Sequence, residues 1–281
     1  MLQNTFAHMP GIGLKTEQSL WDAGIGSWDV FCDANGSVLP FGKRKSEALR
    51  AFLDTCRDKL NEGDPHFFAA SLPSQLLWRL FPEFRHCAAY LDIETTGLGG
   101  PGDHITTAAL YDGSQVRHYV HGKNLDRLPH DLRNYKLLVT YNGSCFDLPF
   151  IRGYFGTRVD QVHIDLRFLL RSLGYTGGLK GCEKRLGLQR NELEGVDGYF
   201  AVLLWEEYKR EQNPRALETL LAYNIADTVN LETLMVTAYN LKAAQTPFTG
   251  LALPPPCPPP VPFRADDRLI RSIRDRFYFP G

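Results

Sequence analysis

Apolar residues fall into short dense runs between positions 87 and 141 and into helical spacings on either side of them. The runs at 87–94, 104–111, 115–121 and 136–141 predict strands, with Asp112-Gly113 as the hairpin turn between the second and third. Helical spacing dominates afterwards, most clearly over 214–239. Before the strands, it predicts a helix opening near Leu14, a second running through Leu60 and a third over 74–81. Strands followed by helices that cover a mixed sheet predict an α/β layer, preceded by a small helical region. Near the far end, Pro254-Pro255-Pro256-Cys257-Pro258-Pro259-Pro260 predicts an extended spacer. Beyond it, 266–279 can form a short basic helix that docks back on the body, stays mobile or binds a partner. The expected division is 1–82, 83–245 and 246–281.

Within the first run, Tyr90-Leu91-Asp92-Ile93-Glu94-Thr95-Thr96-Gly97 sets two carboxylates one residue apart. A strand points them to the same face while Leu91 and Ile93 enter the core. Like charges so close repel unless a cation lies between them, and a hard divalent ion such as Mg²⁺ or Mn²⁺ is the simplest candidate. Phosphodiester hydrolysis requires such an ion. Further along, Asn142-Gly143 turns the chain after the fourth strand, and Phe146-Asp147-Leu148-Pro149 opens a helix. On the long late helix, Tyr223 and Asp227 are four apart and share a face with Leu220 and Leu231. Each motif has a plainer alternative: an acidic pair on an exposed edge strand, an aspartate capping a helix, a core phenol beside a surface acid.

Asp-x-Glu, Asn-Gly-x-x-Phe-Asp and Tyr-x-x-x-Asp, in that order, resemble the DEDD superfamily of 3′-5′ exonucleases with the RNase H-like fold; the tyrosine marks the DEDDy type. More narrowly, Leu179-Lys180-Gly181-Cys182-Glu183-Lys184-Arg185-Leu186-Gly187-Leu188 and Tyr223-Asn224-Ile225-Ala226-Asp227-Thr228-Val229-Asn230-Leu231 resemble the YprB-like exonucleases. The likeness spans roughly 87–240 and assigns 83–245 to an RNase H-like exonuclease domain. It implies cutting from a 3′ end, DNA rather than RNA as substrate, a role in repair or processing, and a helicase partner. Some related enzymes carry histidine where Tyr223 stands.

The chemistry expected of these residues follows from charge. The reaction needs an activated water, a neutralised phosphate and a stabilised leaving oxygen, which two divalent ions about 3.5–4 Å apart supply together. Asp92, Glu94, Asp147 and Asp227 are the expected ligands, with Asp92 as the bridge. Tyr223, whose phenol has an unperturbed pKa of about 10, is expected to position a metal-made hydroxide rather than to act as base. Asp165 follows a strand-like run and precedes a helix, where capping explains it. Asp103 and His104 are likewise left outside the site. His118 and His121 lie three apart in a strand-like stretch, on opposite faces, which argues against zinc.

A second signal lies near the beginning, where Gly11-Ile12-Gly13-Leu14-Lys15-Thr16 leads a Gly-x-Gly turn into a helix and resembles a helix-hairpin-helix element. Gly11, Gly13, Lys15 and Thr16 are therefore candidates for gripping a phosphate; the alternative is a turn that uses glycine for geometry alone. Lys43, Arg44 and Lys45 form a basic cluster that either contacts backbone phosphates or is a solvated face. Thr95, Asn142 and Phe146, flanking the acids, complete the nucleic-acid candidates. Tyr141, Phe146 and Phe150 could stack terminal bases or simply pack in the core.

A formal net charge of −1 over 281 residues gives no global attraction to nucleic acid, so binding would depend on local patches and bound cations. The six cysteines include no Cys-x-x-Cys pair, and neither a signal peptide nor a long apolar span is evident. A reduced, cytoplasmic, non-membrane protein is expected. Two other functions stay open: a scaffold on the same fold that has lost turnover, and an RNA-processing nuclease. Against the scaffold stands the presence of every expected acid.

Overall fold

A computed structural model describes residues 1–35, 38–188 and 198–278. Its sheet contains β1 (Ala88–Thr95), β2 (Ile105–Tyr111), β3 (Val116–Val120), β4 (Leu137–Thr140) and β5 (Val162–Asp165), in the spatial order β3-β2-β1-β4-β5. β1 pairs antiparallel with β2 and parallel with β4; β2–β3 is antiparallel and β4–β5 parallel. The acid-bearing strand is thus the middle one of the sheet, which removes the edge-strand reading of Asp92 and Glu94. In the hairpin between β2 and β3, Gly113 takes a φ of 89°, and Asp112 Oδ1 accepts the Ser114 and Gln115 amides at 3.0 and 2.8 Å.

The helices around the sheet are α1 (Leu14–Asp22), α2 (Trp28–Asp33), α3 (Lys43–Asn61), α4 (Pro65–Ala69), α5 (Phe81–Phe84), α6 (Leu128–Leu132), α7 (Asp147–Phe155), α8 (Leu166–Arg171), α9 (Gly178–Arg185), α10 (Gly198–Glu211), α11 (Pro214–Ala243) and α12 (Asp267–Tyr278). Alternation along β1 decides which of them it meets. Ala89, Leu91 and Ile93 pack with Leu128 and Leu132 of α6 and Leu148 and Ile151 of α7. Ala88 and Tyr90 join Ile225 and Val229 of α11 on the other face, so Asp92 and Glu94, which share their parity, point to the α11 side.

α11 starts where Asn213 Oδ1 accepts the Arg215 amide at 3.1 Å and Pro214 occupies the first turn. It is buried on opposite sides, with one side meeting the sheet and the other meeting α10 or the N-terminal helices. A single inward stripe was expected; a helix enclosed all round needs apolar residues on every face, which blurs the 3.6-residue period.

The N-terminal helices share a core with the sheet rather than forming a separate one, since Phe6, Leu20, Trp28 and Leu53 lie in the same cluster as Tyr90 and Tyr239. His8 is enclosed there, its ring 5.5 Å from Trp28 and 5.7 Å from Phe68. Burial, with the Arg79 charge adding to it, pulls its pKa down to about 4. The unfolded chain then binds one more proton than the folded one between about pH 6.5 and 4. Stability from this group is complete above that window and lost as pH falls through it, by about 3 kcal/mol. Urea unfolding at pH 7.5 and pH 5 is expected to show a drop that His8→Phe makes smaller; an equal drop in both proteins would dismiss His8 as a source.

The C-terminal segment docks. Leu253 exchanges two 2.8 Å hydrogen bonds with the Asn240 side chain. Ile270 and Ile273 of α12 are buried with Phe200, Leu204 and Trp205 of α10. Position 279, where the expected helix ends, lies outside the described residues. No helix among the described residues is long and apolar enough to cross a membrane.

Candidate active site

Asp92 is tied to α11 by Asn224, whose Nδ2 donates to Asp92 Oδ2 at 2.7 Å and to its carbonyl at 3.2 Å. Asn224 immediately follows Tyr223 and precedes Asp227 by less than one helical turn, so this contact draws the late motif onto β1. From the other direction, Asp147 at the start of α7 reaches β1, its Oδ1 accepting the Ile93 amide at 3.2 Å. That amide lies between Asp92 and Glu94. Asp147 is not the cap of its helix: Phe146 holds that position, with no side-chain capping bond.

Lys180 of α9 closes the group. Its Nζ is paired with Asp227 Oδ1, lies 4.5 Å from the centre of the Tyr223 ring and attracts the Glu94 carboxylate electrostatically. Asp92, Glu94, Asp147, Tyr223 and Asp227 are therefore brought into one neighbourhood, linked by Asn224, the Ile93 amide and Lys180. Sequence reasoning missed Lys180 and Asn224. Both stood inside recognised motifs, and the available signals were a lysine just after the Gly177-Gly178 helix start and an amide between the tyrosine and the aspartate.

Asp147, Tyr223 and Asp227 are each 4% exposed and Glu94 9%, so their charges are felt strongly. Burial pushes the Glu94 carboxyl well above the usual range, with the Asp92 and Asp147 charges adding and Lys180 opposing. Burial also raises Asp147 to about 7; its own amide and that of Ile93 oppose the rise, and Asp165 adds to it. Such a group of carboxylates calls for a cation. Among the described residues no three carboxylate, imidazole or thiol groups are spaced to hold a single ion as they stand. The donors nonetheless suit Mg²⁺ or Mn²⁺, because they are hard oxygens and because the buried Asn224 Oδ1 beside them has no hydrogen-bond partner.

The turn presenting Asp147 is built by Asp165. Besides capping α8 through the Arg167 amide at 3.0 Å, Asp165 accepts the Asn142 amide at 2.8 Å and the Ser144 amide at 3.0 Å, together with the Ser144 hydroxyl. Asn142 sits at φ 66°, and a β-carbon at Gly143 would collide with the Thr140 hydroxyl, which accepts the Gly143 amide at 3.0 Å. Asp165, read from the sequence as a cap, caps α8 and also organises the Asn-Gly turn.

The other candidates divide. Thr95 is buried beside Glu94 and donates to the Gly97 carbonyl at 2.6 Å; Asn142 accepts from Arg167. Phe146 packs 5.8 Å from Phe150, and both line an open pocket of about 530 Å³ with Leu98, which is 92% exposed. Near the N-terminus, Gly11 takes φ 70° and Gly13 caps α1, with Lys15 exposed and Thr16 half-buried on its first turn. Lys43, Arg44 and Lys45 open α3, and Lys45 Nζ lies against Gly11. The glycine turn and the basic cluster thus meet each other.

Residues 89–239 match the family model RNase_H_2, described as RNase_H superfamily. No curated protein matches the chain. Among solved structures, the chain is similar to the family B DNA polymerase from the archaeon Pyrobaculum calidifontis, at 14% identity and a TM-score of 0.41 over 56% of this chain. It spans only 26% of that polymerase. It is also similar to Brucella melitensis NrnC bound to pGG, at 17% identity and a TM-score of 0.40, over 70% of this chain and 85% of NrnC. The family match includes β1, the Asn142 turn, α9 and the Tyr223–Asp227 turn of α11, and on that match the chain belongs to the RNase_H superfamily.

Proposed function

We propose that the protein is a YprB-like 3′-5′ exonuclease of the DEDDy type that hydrolyses single-stranded DNA ends with two divalent ions, Mg²⁺ or Mn²⁺. The observation that carries this reading is the convergence on β1 of three acidic motifs from distant parts of the chain. Asp92, Glu94, Asp147 and Asp227 would hold the ions, which when bound supply a hydroxide at neutral pH and neutralise the phosphate. Asn224 fixes the orientation of Asp92. Tyr223, its ring against the Lys180 ammonium, would position the attacking water through its hydroxyl. Lys180, paired with Asp227, balances the carboxylates and would supply a further positive charge at the phosphate.

Hydrolysis of 3′- and 5′-labelled DNA and RNA with Mg²⁺, Mn²⁺ or chelator, beside Asp92→Asn, tests the reading. A metal-dependent ladder running from the 3′ end of DNA is expected, absent in the variant. Equal activity in Asp92→Asn would overturn the assignment of the site, and a ladder on RNA alone would move the substrate to RNA. A helicase that supplies single strands is the proposed partner, and repair or processing the proposed setting.

A further inference from the structure

Between the 3-10 helix Ser74–Leu80 and the β5–α8 junction lies a pocket of about 440 Å³ that contains none of the predicted site residues. We propose that it receives a nucleobase of the bound strand, one that lies behind the terminal nucleotide; this rests on the exonuclease reading above. The pocket opens at the carboxyl end of β5, on the parallel half of the sheet, where open α/β sheets bind ligands. It lies two strand spacings from β1, about 10 Å, which a few nucleotides of a strand rising about 3.4 Å each when stacked can cover. Ser144 in its wall belongs to the turn that carries Asp147. A strand whose end reaches the acids therefore has this pocket beside its path.

The lining selects the base rather than the phosphate. Phe168, 50% exposed, offers a ring face, and Trp78, itself buried, backs the wall from the N-terminal helices. Gln75 supplies an amide that both donates and accepts. Asp165 forms a fixed wall of the pocket, its oxygens taken up by the Asn142, Ser144 and Arg167 amides and the Ser144 hydroxyl, and its carboxylate disfavours a phosphate there. Arg167 and Arg171, exposed just outside, are placed for the backbone. A volume of about 440 Å³ falls within the roughly 300–1,000 Å³ of small-molecule sites. Because Gln75 and Trp78 come from the region before the sheet, this subsite would give the N-terminal helices a part in holding substrate.

The test is fluorescence anisotropy of a labelled short single-stranded DNA in chelator, with one abasic residue moved stepwise away from the 3′ end. Wild-type protein is expected to lose about tenfold in affinity at one internal position, in keeping with base–aromatic stacking. Phe168→Ala, at an exposed position, is expected to bind intact DNA about tenfold more weakly and to ignore the abasic residue at that position, while Phe168→Tyr restores both. Insensitivity of the wild type at every position, or an undiminished penalty in Phe168→Ala, would overturn the subsite. Binding in chelator needs no hydrolysis, so the two readings fail separately. An inactive protein with this pattern keeps the pocket and loses the exonuclease, and an active protein without it loses only the pocket.

Discussion

Asp227→Asn is expected to reduce hydrolysis by more than about a hundredfold, because outer-shell partners of a metal cost about 10- to 100-fold when removed and a direct ligand must exceed them. Asparagine keeps the size of the side chain and one oxygen, so the fold should survive. What it loses is the charge that pairs with Lys180. Asn224→Leu supplies the calibration: it removes the 2.7 Å bond to Asp92 without touching a proposed ligand, and its loss should fall within the outer-shell range. Lys180→Met separates charge balance from structure. With the ammonium gone, the carboxylates lack their resident counter-charge, so Mn²⁺ measured by calorimetry should bind at least as tightly as to wild type while the rate at saturating metal falls. An Asp227→Asn rate within about tenfold of wild type would remove Asp227 from the ligand set. Unaltered Mn²⁺ affinity in that variant would point the same way.

The strands and the ordered acids were legible because each follows from a local rule. Strand runs were placed to within a residue or two of β1 through β4; for β1, β2 and β4 two-sided burial leaves dense apolar runs with sharp ends. The parity of Asp92 and Glu94 followed from the pleat alone, and the Asn142-Gly143 turn from the left-handed conformation it needs. Lys180 and Asn224 escaped because their partners are set by packing between segments more than 40 residues apart. Nothing in a local pattern tells a lysine over an active-site ring from one in solvent. Asp165 was half legible: the cap is local, whereas its bonds to Asn142 and Ser144 depend on β5 lying beside β4. The N-terminal glycine turn shows the same division, since the turn leading into α1 was readable and the group that anchors it was not.

That anchor is an ion pair between Glu17 and Arg79, and breaking one side of it is expected to destabilise the protein by about 3–5 kcal/mol, as for other buried pairs left with an uncompensated charge. The Arg79 and Glu17 side chains are 5% and 1% exposed and meet at 2.8 Å. Glu17 Oε1 also accepts the Phe6 and Ala7 amides at 2.7 and 2.9 Å, so one carboxylate ties the opening segment to α1 just beyond the Gly11 turn. The guanidinium lies 5.3 Å from the Trp21 ring and 5.6 Å from that of Trp78. Trp78 in turn lines the pocket beside the Asn142 turn. Arg79→Met keeps much of the packing volume between the two indoles and removes the charge, leaving the buried Glu17 without its partner. Glu17→Gln with Arg79→Met removes both charges, and its cost should be smaller than the sum of the single changes by at least about 1 kcal/mol, the coupling expected of a direct pair. Urea denaturation of the four proteins at pH 7 measures this. Strict additivity would show that the pair acts only through packing, and it would leave the amide bonds of Glu17 as the element that fixes the glycine turn.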